Sequence, residues 1–309
     1  MTGGPVMFER VALLGLGLIG SSIAHAAKRT KIARHVAGHA RSEETRQVAM
    51  ELGYLDSVHE HAADAAKGAD LVILCTPVGA YEALAEEIAP VLAKGTILSD
   101  VGSVKMAVIR DVAPHVPMDV HFIPAHPVAG TEHSGPRSGF AELFEGRWCI
   151  LTPDATVPEA PILKLKAFWE AFGAKVEAMD AKHHDLVLAV TSHLPHLIAY
   201  NIVGTAADLE SVTQSEVIKF SASGFRDFTR IAASDPTMWR DIFLNNRDAV
   251  LEVLGRFTED LAHLQRAIRW GQGDVLFDLF TRTRAIRREI IEQGQDTAAP
   301  DFGRRPPKP

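Results

Sequence analysis

Gly15, Gly17 and Gly20 stand in a Gly-x-Gly-x-x-Gly pattern, with Leu16, Leu18 and Ile19 between them. The apolar run Val11–Leu14 leads into the pattern, and a helical stretch follows from Ser21. The first glycine permits a tight turn. The second lets the backbone approach a pyrophosphate, and the third lets helix and strand pack closely. The start of the helix adds free N–H groups and a positive dipole end, both suited to phosphate. Alone, the pattern is a weak signal and can be a bare glycine-rich turn. Between a strand and a helix it points to a dinucleotide. The residue that reads the ribose should end the next strand, where NAD-binding chains usually place Asp or Glu. Here the segment is Gly38-His39-Ala40-Arg41-Ser42, with Ala40 where an acid would stand. Arg41, with Ser42 beside it, can pair with a 2′-phosphate. The reading therefore leans to NADP over NAD and keeps both open, since Arg41 can equally be a solvated loop residue. Thr76 and Pro77 follow the third apolar strand and border the same crevice.

Four further segments gather groups that do proton and anion chemistry. Ser99–Lys105 and His126–Glu132 fall where strand carboxyl ends are expected. Thr191–His196 and the stretch from Gly224 to Asp241 lie in the second half. Histidine titrates near neutrality and serves as a base. Arginine offers a planar fork to a carboxylate. A lone histidine before proline, as at His126, is often only a turn residue. His193 and His196 lie three apart on one helix face, a spacing that also suits a metal. No carboxylate or third histidine is tied to them, so no metal site is read. Arg226 reads as a decoy, and His133, His183 and His184 as loop and cap residues.

The elements that must position these residues alternate in the first half. Val11–Leu14, Val36–Gly38, Leu71–Thr76, Thr96–Ser99, His121–Ala125, Cys149–Thr152 and Lys175–Met179 read as buried strands. Helical patterns at Ser21–Arg29, Glu43–Leu52, Tyr81–Leu92 and Pro161–Phe172 separate most of them. This alternation predicts an α/β Rossmann domain, a doubly wound and mostly parallel sheet, over residues 1–181. An all-α domain for substrate and dimerisation is expected over 182–295, with a flexible tail over 296–309. Asp185–Ala207 is apolar on several faces and reads as a helix buried all round. Asp241–Arg269 and Asp274–Glu292 read as further long helices. So much apolar helical surface favours completion of the core by a second copy, a homodimer.

Composition bounds the rest. A net charge of −7 gives no electrostatic support to nucleic-acid binding. Cys75 and Cys149 both lie in apolar runs and read as buried thiols without a disulfide. The first apolar run is broken by glycines, so neither a signal peptide nor a membrane span is read. The cytoplasm is the expected location.

The motifs D-x-G-S-V-K (Asp100 to Lys105), H-P-x-A-G-T-E (His126 to Glu132), S-H-L-P-H (Ser192 to His196) and D-F-T-R-I-A…D-P…M-W (Asp227 to Trp239) occur in this order behind the glycine fingerprint. With them the chain resembles the prephenate/arogenate (cyclohexadienyl) dehydrogenase family of tyrosine biosynthesis, from about Arg10 to about Glu292. The resemblance implies an obligate dimer through the helical domain and an NAD(P) cofactor. It also implies oxidative decarboxylation of prephenate and/or arogenate to 4-hydroxyphenylpyruvate and/or tyrosine. By resemblance, His126 is the catalytic histidine, Ser103 its hydrogen-bond partner, and His193 and Arg230 substrate contacts. Glu132, Asp227 and Trp239 match supporting positions on the substrate side. His196 is placed with them as a packing or supporting residue. The missing acid near Ala40 departs from the NAD-type members.

Two other readings compete. A β-hydroxyacid dehydrogenase would carry a lysine on the first long helix of its second domain, and Asp185–Ala207 has none. A cofactor-sensing protein would need the glycines but not Ser103, His126 and Arg230. No room is expected for an appended regulatory or chorismate mutase domain. Prephenate and arogenate differ by keto against amino on the side chain, and no single residue chooses between them.

Overall fold

The computed structural model describes residues 6–131, 133–213, 219–220 and 222–292, with only the backbone for 210–213 and 223. Glu132 and the segment 296–309 therefore lie outside the described residues. Two compact units divide at Leu251 and Glu252.

The first unit opens with β1 (Phe8–Leu14), α1 (Leu18–Thr30), β2 (Ala33–His39) and α2 (Glu43–Glu51). There follow β3 (Ser57–His59), α3 (Ala62–Ala66), β4 (Leu71–Leu74), α4 (Tyr81–Ile88), β5 (Ile97–Asp100), α5 (Lys105–Val112) and β6 (His121–Phe122). The six strands form one sheet in the order β3-β2-β1-β4-β5-β6, and every neighbouring pair is parallel. The order reverses between β1 and β4, which opens a crevice at the strands' carboxyl ends. Both faces are covered, so the strands read as unbroken apolar runs. On β1, Val11 and Leu13 join a core with Ile23 of α1 and a cluster of Phe168, Trp169 and Phe172. Ala12 and Leu14 point the other way, to Tyr81 and Val108. The period-2 alternation of a strand thus feeds two cores.

The expected strand His121–Ala125 is two strands. Ile123 N still donates to Leu98 O of β5, but Pro124 has no N–H to continue the ladder, and its carbonyl accepts from Thr152 N. The chain leaves the parallel sheet there and continues as β7 (Ala125–Pro127). β7 pairs antiparallel with β8 (Trp148–Leu151), and β8 pairs parallel with β9 (Lys175–Ala178) beyond α6 (Glu159–Ala171). The last strands therefore build a second, mixed sheet rather than extending the first.

Asp180 caps α7 (Ala181–Leu188) by accepting from His183 N. A π-helical turn, Ala189–His193, then joins α7 to α8 (Leu194–Thr213). Pro195 cannot donate to the carbonyl four residues back and crowds it, which accounts for the widened turn. The expected single helix is thus interrupted where the S-H-L-P-H motif lies. It is also not buried all round. Val190, Ile202, Val203 and Leu209 are exposed, and none of the described residues covers those faces. Ala181–Leu209 is long and apolar enough to cross a membrane by length and composition alone.

The helix expected at Asp241–Arg269 is also two helices, Pro236–Asn245 and Arg247–Arg269, broken at Asn246. Asp235 caps the first by accepting from Met238 N. A short helix, Ser223–Thr229, precedes them. In the second unit, Gly271 at φ +61° closes the long helix, with Gln272 N donating to Ala267 O. Helix Gly273–Glu292 follows.

A methyl group added at Gly20 would stand 2.0 Å from Gly15 O, whereas one added at Gly17 would meet nothing within 4 Å. Gly20→Ala should therefore lower stability by about 1–3 kcal/mol, the cost of overpacking. Gly17→Ala should change stability by no more than about 1 kcal/mol, the scale of an altered cap, and yet weaken dinucleotide binding. Thermal melts and nicotinamide dinucleotide titrations of both variants check the contrast.

Candidate active site

The glycine turn sits directly against the end of β4. Gly15 is at φ +116°, and a Cβ there would lie 2.7 Å from the Cys75 carbonyl carbon and Thr76 N. Gly15 N donates to His39 O, which ties β1 to β2. Leu16 is buried, and Leu18 and Ile19 are half-buried. Open space at Gly17 and the buried, unpartnered Thr76 hydroxyl fit a dinucleotide laid across this crevice. At the end of β2, Arg46 donates to Ala40 O and Arg41 O and so fixes the loop. Arg41 is exposed. The Ser42 hydroxyl accepts from Thr45 N and caps α2. Glu43 and Glu44 occupy the first turn of that helix. Pro77 is exposed beside Thr76.

His126 lies at the centre of β7 and is almost wholly buried. Its Nδ1 meets His184 Nε2 at 2.9 Å. His184 Nδ1 in turn lies 2.8 Å from Asp185 Oδ1. Asp185 Oδ1 also accepts from Lys105 N at 2.7 Å, and Oδ2 accepts from Met106 N at 2.9 Å. This carboxylate is an acceptor throughout, so His184 Nδ1 carries a hydrogen and His184 Nε2, in a neutral ring, accepts. His126 Nδ1 must then donate, which leaves the lone pair of His126 on Nε2. Burial pushes His126 well below the ordinary histidine value, and the His184, Lys105 and His193 charges push the same way. Burial lowers His184 as well. Both rings are neutral at neutral pH.

One expectation changes here. The partner at His126 Nδ1 is His184. Ser103 sits half-buried in the loop between β5 and α5. His184, expected as a loop or cap residue, is fully buried because α7 packs on α5 through Asp185. His183 does lie at the helix cap.

His193, on the π turn, is completely enclosed. Asn246 Nδ2 donates to Asp185 O at 2.8 Å and to His193 Nδ1 at 3.1 Å. Nε2 of His193 therefore carries the hydrogen, and it is buried without a partner. Burial lowers this histidine to about 4. Trp239 brings a second such donor, since its Nε1 is also buried and unpartnered. The Trp239 ring stacks on His196 at 3.6 Å between centroids and 22° between planes, and lies 6.1 Å from His193. His196 Nδ1 donates to Ser192 O at 2.8 Å. Arg230 is exposed just after helix Ser223–Thr229, and its charge reaches His196. Asp227 is half-buried one turn earlier, beside the exposed Arg226.

The structure thus brings His126, His193, His196 and Trp239 together through His184, Asp185 and Asn246. The sequence reading missed those last three. Asp185 and His184 lie just ahead of a motif that was singled out, but nothing in their spacing reports a partner 58 to 80 residues away. Asn246 carried no signal, since the helical pattern reads straight through it.

The model of the prephenate dehydrogenase nucleotide-binding domain matches residues 23–178, and that of the prephenate dehydrogenase dimerization domain matches residues 180–282. The chain belongs to the prephenate dehydrogenase family. It is 43% identical over 281 residues to a cyclohexadienyl dehydrogenase of Zymomonas mobilis, covering 91% of this chain and 96% of that protein. Among solved structures it is similar to prephenate dehydrogenase of Aquifex aeolicus in complex with hydroxyphenyl propionate and NAD+. There the TM-score is 0.85 at 32% identity, over 91% of this chain and 98% of that one. Synechocystis arogenate dehydrogenase superposes with a TM-score of 0.77 at 26% identity, over 91% and 99%. This member is accordingly a nicotinamide-dependent dehydrogenase that oxidatively decarboxylates prephenate and/or arogenate in tyrosine biosynthesis. The α/β Rossmann domain followed by helices agrees with the expectation from sequence.

Proposed function

We propose that His126 is the base of this reaction and that its Nε2 takes the C4 hydroxyl proton as hydride leaves C4. The observation that carries the reading is the chain Asp185–His184–His126, which leaves the lone pair on His126 Nε2. A bound nicotinamide supplies the hydride acceptor. The resulting carbonyl draws electrons from the ring, and the ring carboxylate departs as CO2. The electron pair of the broken bond completes the aromatic ring. The proton on His126 can then return to the phenolate oxygen. Aromatisation drives the step, so the protein's work is positioning and proton control. Ser103 is the second group proposed to reach the hydroxyl. Arg230 pairs with a substrate carboxylate, and the lone donors His193 Nε2–H and Trp239 Nε1–H suit further acceptors of a dianionic substrate. His196, Asp227 and Glu132 are proposed to support that side, Glu132 from resemblance alone.

His126→Asn should bind prephenate almost as before and lose about 10²–10⁴ in kcat, the worth of a positioned base. The base must be neutral, and burial holds it well below 6.5. In the native protein kcat/KM should therefore stay level as pH falls through 6.5, declining only in more acid solution, and this limb should vanish in His126→Asn. Initial rates across pH read both. A variant that raised only KM and kept the limb would make His126 a binding residue.

The reading extends to the cofactor. Residues 1–181 are proposed to hold it, through Gly15, Leu16, Gly17, Leu18, Ile19, Gly20, Thr76 and Pro77. No acid ends β2, and the exposed Arg41 can meet a 2′-phosphate, with Ser42 beside it, which favours NADP; Glu43 and Glu44 oppose it. Arg41→Ala should weaken NADP by about 1–3 kcal/mol and leave NAD nearly unchanged. Equal effects on the two dinucleotides would remove the preference.

Residues 182–295 are proposed to form the substrate and dimerisation region of a soluble, cytoplasmic homodimer. Trp270 and Phe277 are each 71% exposed, with Ile268 and Phe280 also bare, an apolar burden that a second copy would cover. Sedimentation should show a dimer at assay concentration, and an active monomer would overturn this.

A further inference from the structure

A fully buried ion pair lies beneath His126, and the proton chemistry above does not use it. Asp100 ends β5, and Lys105 begins α5; neither side chain has any exposure. Lys105 Nζ donates to Asp100 Oδ2 and to Ala125 O, both at 2.6 Å. Asp100 Oδ2 also accepts from Gly102 N at 2.7 Å, and Oδ1 accepts from Ala125 N at 3.0 Å. Burial lowers Lys105 and raises Asp100 from their ordinary values, and their mutual attraction offsets both.

The target of this pair is the backbone of the residue before His126. On the β8 side, β7 is held by a ladder, with Thr152 N donating to Pro124 O and Val128 N to Trp148 O. The N–H and C=O of Ala125 face the other way, where β7 has no neighbouring strand. A bare strand edge buried there would leave one donor and one acceptor unsatisfied, at about 1–3 kcal/mol each. The carboxylate takes the N–H and the ammonium takes the C=O. No single neutral side chain of this reach meets both so firmly. The backbone N–H of position 105, whatever side chain it carries, belongs to the chain that holds the far side of the histidine. Lys105 N donates to Asp185, which holds His184, which holds His126 Nδ1.

We propose that the Lys105 side chain, acting with Asp100, is the positioning residue for His126, fixing its strand from below while keeping a cation beside it. The proposal rests on the reading of His126 as the base. Lys105 touches neither substrate nor cofactor and acts only through His126. The charge has a definite sign. An ammonium near the imidazole disfavours imidazolium and so keeps the base available in acid. The titratable groups that face His126 are His184 and Asp185 from α7, His193 from the π turn, Asp100 from β5, Cys149 from β8 and Lys105 from α5. Lys105 is the one lysine among them, and its ammonium is paired with Asp100.

Lys105→Met removes the ammonium and keeps the length. The expected result is a fall in kcat of about 10–100-fold, the scale of a slightly misplaced group. KM for prephenate and for the dinucleotide should change little, and the acid limb should move to higher pH. Folding is checked by melting and by dinucleotide titration. Should Asp100, left unpaired, prevent folding, the double variant Asp100→Asn with Lys105→Gln carries the same test without buried net charge. It should restore part of kcat, with a smaller displacement of the limb. A folded variant with native kcat, or with lower kcat and an unmoved limb, overturns the proposal. The two readings fail separately. If His126→Asn keeps its kcat and its limb, the base is wrong whatever Lys105 does. If His126→Asn behaves as a lost base and the Lys105 variants match the native profile, the positioning role alone is wrong.

Discussion

The Asp185 carboxylate receives three hydrogen bonds from groups that have no other reason to meet. Two come from the first backbone N–H groups of α5 and one from the His184 ring. The start of a helix leaves its N–H groups without partners, and α5 has no capping side chain of its own. A carboxylate from α7, some eighty residues later, supplies what the local sequence lacks, at the end of the helix where its charge is favoured. One carboxylate thus docks α7 on α5, and the same docking orients His126, the proposed base. The site and the packing are not separable in this protein.

Around that carboxylate the arrangement is one of enforced neutrality. His126, His184 and His193 are buried, and burial lowers all three. A base buried this deeply would be useless if its proton sat on the wrong nitrogen. The direction of each hydrogen bond therefore matters more than its length. Donors on Asp185 make it an acceptor, and that choice propagates through His184 to His126. The same reasoning applied to Asn246 fixes His193 as a donor at Nε2. The amide gives one hydrogen to Asp185 O and the other to His193 Nδ1. Two neutral histidines, one an acceptor at Nε2 and one a donor at Nε2, are told apart by what stands behind each ring.

The helical part answers to different demands. Pro195 interrupts α7 and α8 with a π turn, and His193 emerges from that turn rather than from a regular helix face. Trp239 packs its ring flat on His196, which anchors helix Pro236–Asn245 beside the site. The outward faces of α8 and of the last two helices stay apolar. Those faces are unexplained by one chain and fit the family's dimerising region.

By itself the sequence determined the sheet and the cofactor crevice. Strands buried on both faces are unbroken apolar runs, and the pattern Gly15, Gly17, Gly20 marks a strand–turn–helix within ten residues, although the close contacts that require Gly15 are with Cys75 and Thr76 of another strand end. Such signals are local, so they can be read locally. Through the resemblance, the ordered motifs named His126, His193, Arg230 and Trp239 as expected site residues. Only the tertiary structure decided what surrounds them. The split of His121–Ala125 at Pro124, the ion pair of Asp100 and Lys105 on the Ala125 backbone, and the partnership of His126 with His184 all depend on contacts between segments far apart in the chain. The motifs named Ser103 as a partner by resemblance, and the fold adds His184, which α7 brings to Nδ1 of the ring. A hydrogen bond is set by where two atoms arrive in space, and no spacing along the chain records that when the elements carrying them meet through a buried carboxylate.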